Sequence, residues 1–104
     1  MKDKELLMKA IDSYSVYTPN QRGLLKVFIN IAMENIVKAN IFELSKLSNI
    51  SRPSIYRYID SFKKDGVIDI LNDDTPTLNS FRLNINKLDD IIKYHLKKEN
   101  VLRK

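Results

Sequence analysis

The sequence predicts a mainly α-helical fold with a two-stranded β hairpin, and three observations indicate this fold class. The chain has 104 residues, enough for one hydrophobic core, so residues 1–104 are interpreted as a single domain. Apolar residues recur at helical spacing through most of the chain. Residues 67–84 contain instead a short β-branched run, VIDIL, then the turn-rich sequence NDDTPT, then LNSFRLN with alternating apolar positions, which is typical of a hairpin.

Two helices are predicted in the N-terminal third. The first covers residues 3–14, where apolar side chains have the spacing of an amphipathic helix. The second begins at TPNQ, in which threonine is a suitable N-cap, proline fits the first helical position and glutamine can close a capping box. Its apolar positions cover more than half of the circumference, so a central core helix is expected over residues 21–37.

Two further helices, joined by SNIS, are predicted to form a helix-turn-helix. Asn40 can cap the third helix with Glu43 as its partner. Ser51 is the expected N-cap of the fourth helix, and Pro53 is tolerated because a first-turn residue has no intrahelical amide bond to lose. Gly66 can end that helix in the left-handed conformation. Its core-facing side chains are expected to be Ile55, Tyr58, Ile59 and Phe62.

The last two elements complete the order of a winged helix-turn-helix. The segments VIDIL and LNSFRLN flank the turn and are predicted as the two strands of the wing. Residues 87–98 return to helical spacing, with apolar positions at Leu88, Ile91, Ile92 and Leu96. The predicted fold class is therefore mainly α with a two-stranded β wing, a winged helix-turn-helix.

Charge and composition narrow the classes of function. The formal net charge of +5 and the pI of about 9.5 favour an anionic partner, although charge alone does not separate nucleic acid from a membrane surface. The chain has no cysteine, so a disulfide framework is excluded and a cytoplasmic location is favoured. Lys9 and Asp12 interrupt the apolar part of the N-terminal segment, and no stretch is apolar enough to span a bilayer.

An enzymatic function is not predicted. Gly23 and Gly66 are the only glycines, so the sequence contains neither a P-loop motif nor a glycine-rich dinucleotide-binding motif. The adjacent carboxylates at residues 73–74 and 89–90 diverge rather than converge on one substrate atom. His95 is the only histidine and has no cluster of carboxylates, so neither a metal nor another cofactor is expected.

The fourth helix carries most of the candidate DNA-binding residues. Its N-terminus favours anions, so a phosphate can lie beside Ser51 while Arg52 or Arg57 reaches a guanine in the major groove. Lysines suit the phosphate backbone better, because an ammonium group lacks the planar pair of N–H donors with which a guanidinium can bond to a base edge. The predicted DNA-binding set is Lys46, Ser51, Arg52, Pro53, Ser54, Tyr56, Arg57, Lys63, Lys64 and Arg82.

Other interpretations of these residues stay open. The basic side chains could form an ordinary solvated helix face in which Asp60 pairs with Arg57 and Lys64. Tyr56 points outward and could either pack within the protein or touch DNA. The wing tip NDDTPT carries two aspartates that phosphates would repel, so Arg82 on the returning strand is the single predicted wing contact. The acidic tip is then either solvated or faces a basic protein partner.

The two terminal helices are predicted to pair two copies of the chain. Amphipathic helices at both ends present more apolar surface than a three-helix core requires, and two-fold pairing would bury it. The same stripe could instead complete the core of a single chain. His95 is interpreted as a packed interface histidine. The predicted interface set is Leu7, Ile11, Leu88, Ile91, Ile92, His95 and Leu96.

The stretch FELSKLSNISRPSIYRYIDSFKKDGVID is similar to the DNA-reading core of many bacterial regulators. More narrowly, FIN at residues 28–30, SRPSIY, IDSF and GVID together resemble the TubR family. The resemblance implies a small dimeric centromere-binding adaptor of a plasmid or phage segregation system. Such an adaptor binds repeated or palindromic double-stranded DNA and presents it to a tubulin-like GTPase.

Three functions are therefore weighed for the chain. The leading hypothesis is the centromere-binding adaptor, which would also autoregulate its operon. The second is an ordinary winged-helix transcriptional repressor. The third is a winged-helix protein-interaction module that never binds DNA, because one fold hosts many functions.

Overall fold

In the part of the chain that the structure describes, five helices accompany a small antiparallel sheet. The structure is a computed structural model that describes residues 3–72 and 79–102. The elements in chain order are α1 (Lys4–Asp12), α2 (Pro19–Ile31), β1 (Ile36–Ala39), α3 (Ile41–Ser48), α4 (Arg52–Lys64), β2 (Ile68–Asn72), β3 (Asn79–Leu83) and α5 (Ile85–Leu102). The predicted fold class is confirmed, with a third strand in the sheet. Within the described ranges, no helix is both long and apolar enough to cross a membrane.

The predicted starts of α2 and α3 are present. The Gln21 amide donates to Thr18 Oγ1 at 3.3 Å and the Thr18 amide donates to Gln21 Oε1 at 2.8 Å, which completes a capping box. At α3 the Glu43 amide donates to Asn40 Oδ1 at 2.7 Å. Gly66 follows α4 with a φ of 77°, in the left-handed region expected of a residue that ends a helix.

The predicted end of the second helix is wrong. The helix was expected to run to residue 37, but α2 ends at Ile31. Glu34 and Asn35 have φ values of 51° and 68°, and Met33 and Ile36 exchange two backbone hydrogen bonds of 2.9 Å. Two central residues with positive φ are typical of the tight turn that reverses a chain. The residues after this turn form β1 instead of a helix.

β1 adds an edge strand that the sequence reading missed. The strand order is β1-β3-β2, with both pairings antiparallel. Val37 lies opposite Phe81, and both are buried on the face that packs on the helices. The side chains of Lys38 and Arg82 point to the other face and are exposed. The wing therefore presents a three-stranded surface.

A chain of aromatic rings joins the terminal helices to the sheet. Tyr14 packs against Tyr94 of α5 and against Tyr17, with ring centroids 5.3 and 5.4 Å apart. Tyr17 contacts Phe62 of α4, which contacts Phe28 of α2. The Phe28 ring in turn stacks on Phe81 of β3 at 5.4 Å. The helix-turn-helix and the terminal helices thus share one core.

Most of the predicted dimer-interface residues lie in that core. Their part in pairing two copies of the chain stays a prediction. Leu7 and Ile11 of α1 are fully buried, and they pack with α5 of the same chain. The buried members of the predicted interface are Leu7, Ile11, Leu88, Ile91 and His95. Ile92 is partly buried, and Leu96 is 43% exposed.

Candidate nucleic-acid interface

The turn between α3 and α4 is fixed by its own residues. Asn49 ends α3 in the left-handed conformation, with a φ of 59°. The next residue, Ile50, is buried and anchors the turn in the core. Ser45 donates its hydroxyl proton to the Ile50 carbonyl. These contacts hold the start of α4 in a defined position against α3.

One side of α4 is buried and the other is exposed, as its helical spacing predicts. Ile55, Ile59 and Phe62 are buried, and Tyr58 packs against the core while partly exposed. Ser51 precedes the helix and is exposed, while Ser54 is partly buried. The exposed side chains within α4 are Arg52, Pro53, Tyr56, Arg57, Asp60, Lys63 and Lys64. The structure therefore brings most of the predicted DNA-binding residues onto one face, where their contact with DNA is still a prediction.

Ser54 connects the helix start to Arg57. Ser51 Oγ donates to Ser54 Oγ at 3.0 Å instead of capping a first-turn amide. Arg57 Nη2 donates to the same Ser54 oxygen, also at 3.0 Å. Because a hydroxyl oxygen has two lone pairs, Ser54 can accept both bonds at once. The Arg57 guanidinium is thereby held near the first turn of α4.

The other arginine of this face has an aromatic partner. Arg52 Cζ lies 5.0 Å from the centroid of the Phe42 ring, within the range of a cation–π interaction. Phe42 belongs to the first turn of α3, and 67% of its surface is exposed. Lys46 is also exposed and lies one turn further along α3. The predicted set missed Phe42, because its contact with Arg52 depends on how the two helices cross.

The ion pairs of Asp60 with Arg57 and Lys64, which the solvated-face alternative includes, are not formed among the described side chains, while the solvated face itself stays an alternative. Where the structure describes side chains, no carboxylate oxygen lies within 4.0 Å of a nitrogen of Arg57 or Lys64. Arg57 is bonded to a neutral hydroxyl instead. Its positive charge is therefore not balanced by a described neighbouring carboxylate.

The wing contributes two basic residues, one of which the sequence reading missed. Arg82 of β3 lies opposite Asp69 of β2 and opposite Ile36 of β1. Lys38 of β1 shares this face and is diagonal to Arg82, a position about 7–8 Å away. Lys38 was overlooked because it directly follows the helix predicted over residues 21–37 and was not assigned to a strand. The wing tip with Asp73 and Asp74 lies outside the described residues.

The far end of α4 is tied to the connection between α1 and α2 and to the first turn of α2. Tyr17 donates its hydroxyl proton to Asp65 Oδ2 at 2.8 Å, and Gln21 Nε2 donates to Ser61 Oγ at 3.3 Å. Burial and then the bond to Asp65 raise the pKa of Tyr17 above its ordinary value. The two ends of α4 are thus held by different contacts. No sequence pattern indicates these pairs, because their members are far apart in the chain.

His95 is held by hydrogen-bond partners within the chain. Its Nδ1 lies 2.8 Å from Ser13 Oγ of the segment after α1. Its Nε2 lies 3.3 Å from Glu99 Oε1, one turn further along α5. The side chain is only 9% exposed. His95 therefore links α5 to the end of α1 inside one chain, and its predicted interface role stays a prediction.

Comparison with known proteins shows the fold. No protein-family model and no curated protein matches the sequence. Three similar solved structures are a possible transcriptional regulator from Methanosarcina mazei Go1, NadR in complex with 4-hydroxyphenylacetate, and RV1404 from Mycobacterium tuberculosis. The first is 15% identical with a TM-score of 0.54, and the alignment covers 96% of this chain and 81% of that one.

The other two structures agree to a similar degree. NadR is 14% identical with a TM-score of 0.54, and the alignment covers 91% of this chain and 70% of NadR. RV1404 is 15% identical with a TM-score of 0.52, with 93% of this chain and 68% of RV1404 covered. At these identities the likeness establishes a shared fold. It does not transfer a ligand or a site residue.

Proposed function

We propose that the protein binds double-stranded DNA in a sequence-specific way and reads the major groove with the exposed face of α4. The observation that carries this proposal is the position of Arg57. The neutral hydroxyl of Ser54 holds its guanidinium near the start of α4, and no described carboxylate forms an ion pair with it. A guanidinium can donate two hydrogen bonds to one guanine in the major groove. The fold shared with a possible transcriptional regulator supports the same proposal.

The surrounding basic residues suit the phosphate backbone. Lys46 lies at the end of α3, and Lys63 and Lys64 lie in the last turn of α4, all exposed. Their ammonium groups neutralise phosphates at several distances and angles, which fixes the position of the protein without reading sequence. Lys38 and Arg82 lie on the exposed face of the three-stranded wing and offer a second pair of basic side chains. Together these residues would fix the register in which Arg57 meets the bases.

Selection from a pool of random duplexes tests this function directly. Duplexes retained by the protein should converge on one sequence, and fluorescence anisotropy should show a linear fall in log affinity with log salt. The expected slope is about 0.9 per phosphate contact. A pool that stays random, together with no salt-dependent binding to any duplex, would favour a protein-interaction module instead.

Two biological roles fit a DNA-binding protein of this kind. Regulation of transcription is supported by the fold shared with the Methanosarcina mazei protein. Centromere binding in a tubulin-like segregation system is supported by the short segments that resemble the TubR family, such as SRPSIY and GVID. The second role also requires a homodimer, repeated sites and a GTPase partner.

Co-sedimentation separates the two roles. The protein and its selected DNA are mixed with the product of a neighbouring gene for a tubulin-like GTPase, and filaments are pelleted. An adaptor should pellet with the filaments only when DNA is present, since it connects the two. If the protein stays in the supernatant in all mixtures, or if no such gene lies nearby, regulation of transcription is the role that remains.

A further inference from the structure

Phe42 is a large apolar side chain in an unusual place. It lies in the first turn of α3 with 67% of its surface exposed, while its neighbours Ile41 and Leu44 are buried. Its position therefore adds little to the core. The contact that the structure gives its ring is the guanidinium of Arg52, at 5.0 Å. An exposed ring whose partner is a predicted DNA-binding arginine calls for an explanation beyond packing.

The ring holds Arg52 on the α3 side of the helix-turn-helix. Arg52 is the first residue of α4, so its side chain could extend toward α3 or along α4. Attraction to the ring face favours the first direction. The acidic residue in that turn of α3 is Glu43, whose Oε1 accepts a hydrogen bond from Asn40 Nδ2 at 3.0 Å. The Arg52 guanidinium is thus attracted to the ring, and its charge is not paired with Glu43.

The position of Arg52 next to α3 indicates which part of DNA it would meet. Phe42 and Lys46 are four residues apart, so they lie on one face of α3, and Arg52 joins them from α4. In a helix-turn-helix the first helix crosses the DNA backbone, while the second enters the major groove. A guanidinium held against α3 therefore faces phosphates, whereas Arg57 further along α4 faces base edges.

We infer that Phe42 is a positioning residue that commits Arg52 to a phosphate contact and leaves Arg57 to read the bases. The inference rests on the proposed function and extends it, because it assigns different partners to the two arginines. Phe42 acts through Arg52 and does not itself need to touch DNA. Loss of the ring frees the Arg52 side chain, which then spends less time at the phosphate.

A double-mutant cycle measures this coupling on the full chain. Phe42→Ala, Arg52→Ala and the double variant are compared by anisotropy on the selected duplex and on a scrambled one, at several salt concentrations. Phe42→Ala should weaken binding to both duplexes by about 2- to 5-fold, the range expected for an exposed cation–π pair. In the Arg52→Ala background the same substitution should have almost no effect. Arg52→Ala alone should lower the salt slope by about one unit on both duplexes.

Control variants separate positioning from folding. Phe42→Tyr keeps a ring and should bind like the wild type. Leu47→Ala removes another exposed apolar side chain of α3, which is 57% exposed, and should also leave DNA binding unchanged. Urea unfolding midpoints of Phe42→Tyr and Leu47→Ala should agree with the wild type, while Phe42→Ala and Arg52→Ala should lose no more stability than the about 0.5–1 kcal/mol of an exposed cation–π pair.

Three results would overturn the inference. One is an equal effect of Phe42→Ala with and without Arg52, which would place Phe42 itself on DNA or in the fold. Another is a loss confined to the selected duplex in Arg52→Ala, which would make Arg52 a base reader. The third is wild-type affinity in Phe42→Ala. If the wild-type protein binds no duplex at all, the proposed function itself fails and this inference fails with it.

Discussion

At the scale of single residues, two arginines of one helix are held by different chemistry. Arg57 bonds to the Ser54 hydroxyl at 3.0 Å, and Arg52 lies 5.0 Å from the Phe42 ring. The first contact joins residues three apart, so helical spacing alone brings them together. The second joins two helices and could not be read from spacing. Residue types therefore predicted the basic face, but not which group each arginine would meet.

Tyr17 provides a residue-scale prediction that depends on pH. Its buried hydroxyl donates to Asp65, and its pKa is raised above the ordinary value of about 10. The stabilisation is fully present below pH about 10 and is lost as pH rises further, because the unfolded chain releases the proton while the folded chain keeps it. Tyr17→Phe should lower the free energy of unfolding by about 1 kcal/mol at neutral pH. The difference should shrink above pH about 10.

Urea unfolding at pH 7 and at pH 11 measures the effect of this substitution. Tyr56→Phe is the matched control, since Tyr56 is 56% exposed and lies on the outer face of α4. The control should behave like the wild type at both pH values. A Tyr17→Phe variant whose loss of stability stays constant between the two pH values would contradict the role given to this hydrogen bond.

At the scale of elements, caps predicted the helices better than apolar spacing did. Thr18, Asn40 and Gly66 mark helix ends that the structure contains. The end of α2 was missed because apolar side chains continue at helical spacing past Ile31. The turn that follows is formed by Glu34 and Asn35, so the sequence contains no glycine that would have predicted a turn at this point. Because the helix was extended to residue 37, strand β1 and its exposed residue Lys38 were not predicted.

At the two glycines, substitution by alanine is predicted to change the stability of the fold in opposite directions. Gly66 has a φ of 77°, a conformation that costs an L-residue about 1–2 kcal/mol. A Cβ there would lie 3.4 Å from Lys87 Cε, the flexible part of a side chain, so strain rather than a clash dominates. Gly66→Ala should therefore destabilise the fold by about 1–2 kcal/mol.

Gly23 is the matched control for that substitution. It lies inside α2, and a Cβ added there meets nothing within 4 Å. Gly23→Ala should stabilise the protein by about 0.5–1 kcal/mol, because alanine loses less backbone entropy in a helix. Urea unfolding midpoints of both variants measure the two effects. Equal shifts of the same sign would contradict the backbone assignment at Gly66.

At the scale of the whole molecule, α1 and α5 complete the core of one chain. The sequence pattern showed that these helices bury an apolar stripe, but it could not show against what. Leu7 and Leu88 are covered within the chain. Homodimerisation is still proposed, because DNA sites with two-fold symmetry are read by symmetric dimers. The surface available for it on α5 includes Leu96, 43% exposed, and Tyr94, 39% exposed.

The dimer prediction can be tested without disturbing the core. Leu96→Glu should shift the sedimentation of the protein at micromolar concentration from dimer to monomer, since it places a charge in the proposed interface. Leu47→Glu, on the exposed part of α3, should leave the dimer intact. Both variants should unfold at the urea concentration of the wild type. A wild-type chain that sediments as a monomer would remove the dimer from the proposal.

The central claim is that α4 reads DNA, and one comparison tests it most directly. Arg57→Ala and Lys64→Ala are measured by fluorescence anisotropy on the selected duplex and on a scrambled duplex over a range of salt concentrations. Arg57→Ala should cost about 1–3 kcal/mol on the selected duplex and much less on the scrambled one. Lys64→Ala should weaken both alike and lower the salt slope by about one unit. If both variants lose affinity equally on both duplexes, Arg57 does not read bases, and if neither loses affinity, α4 is not the DNA-binding element.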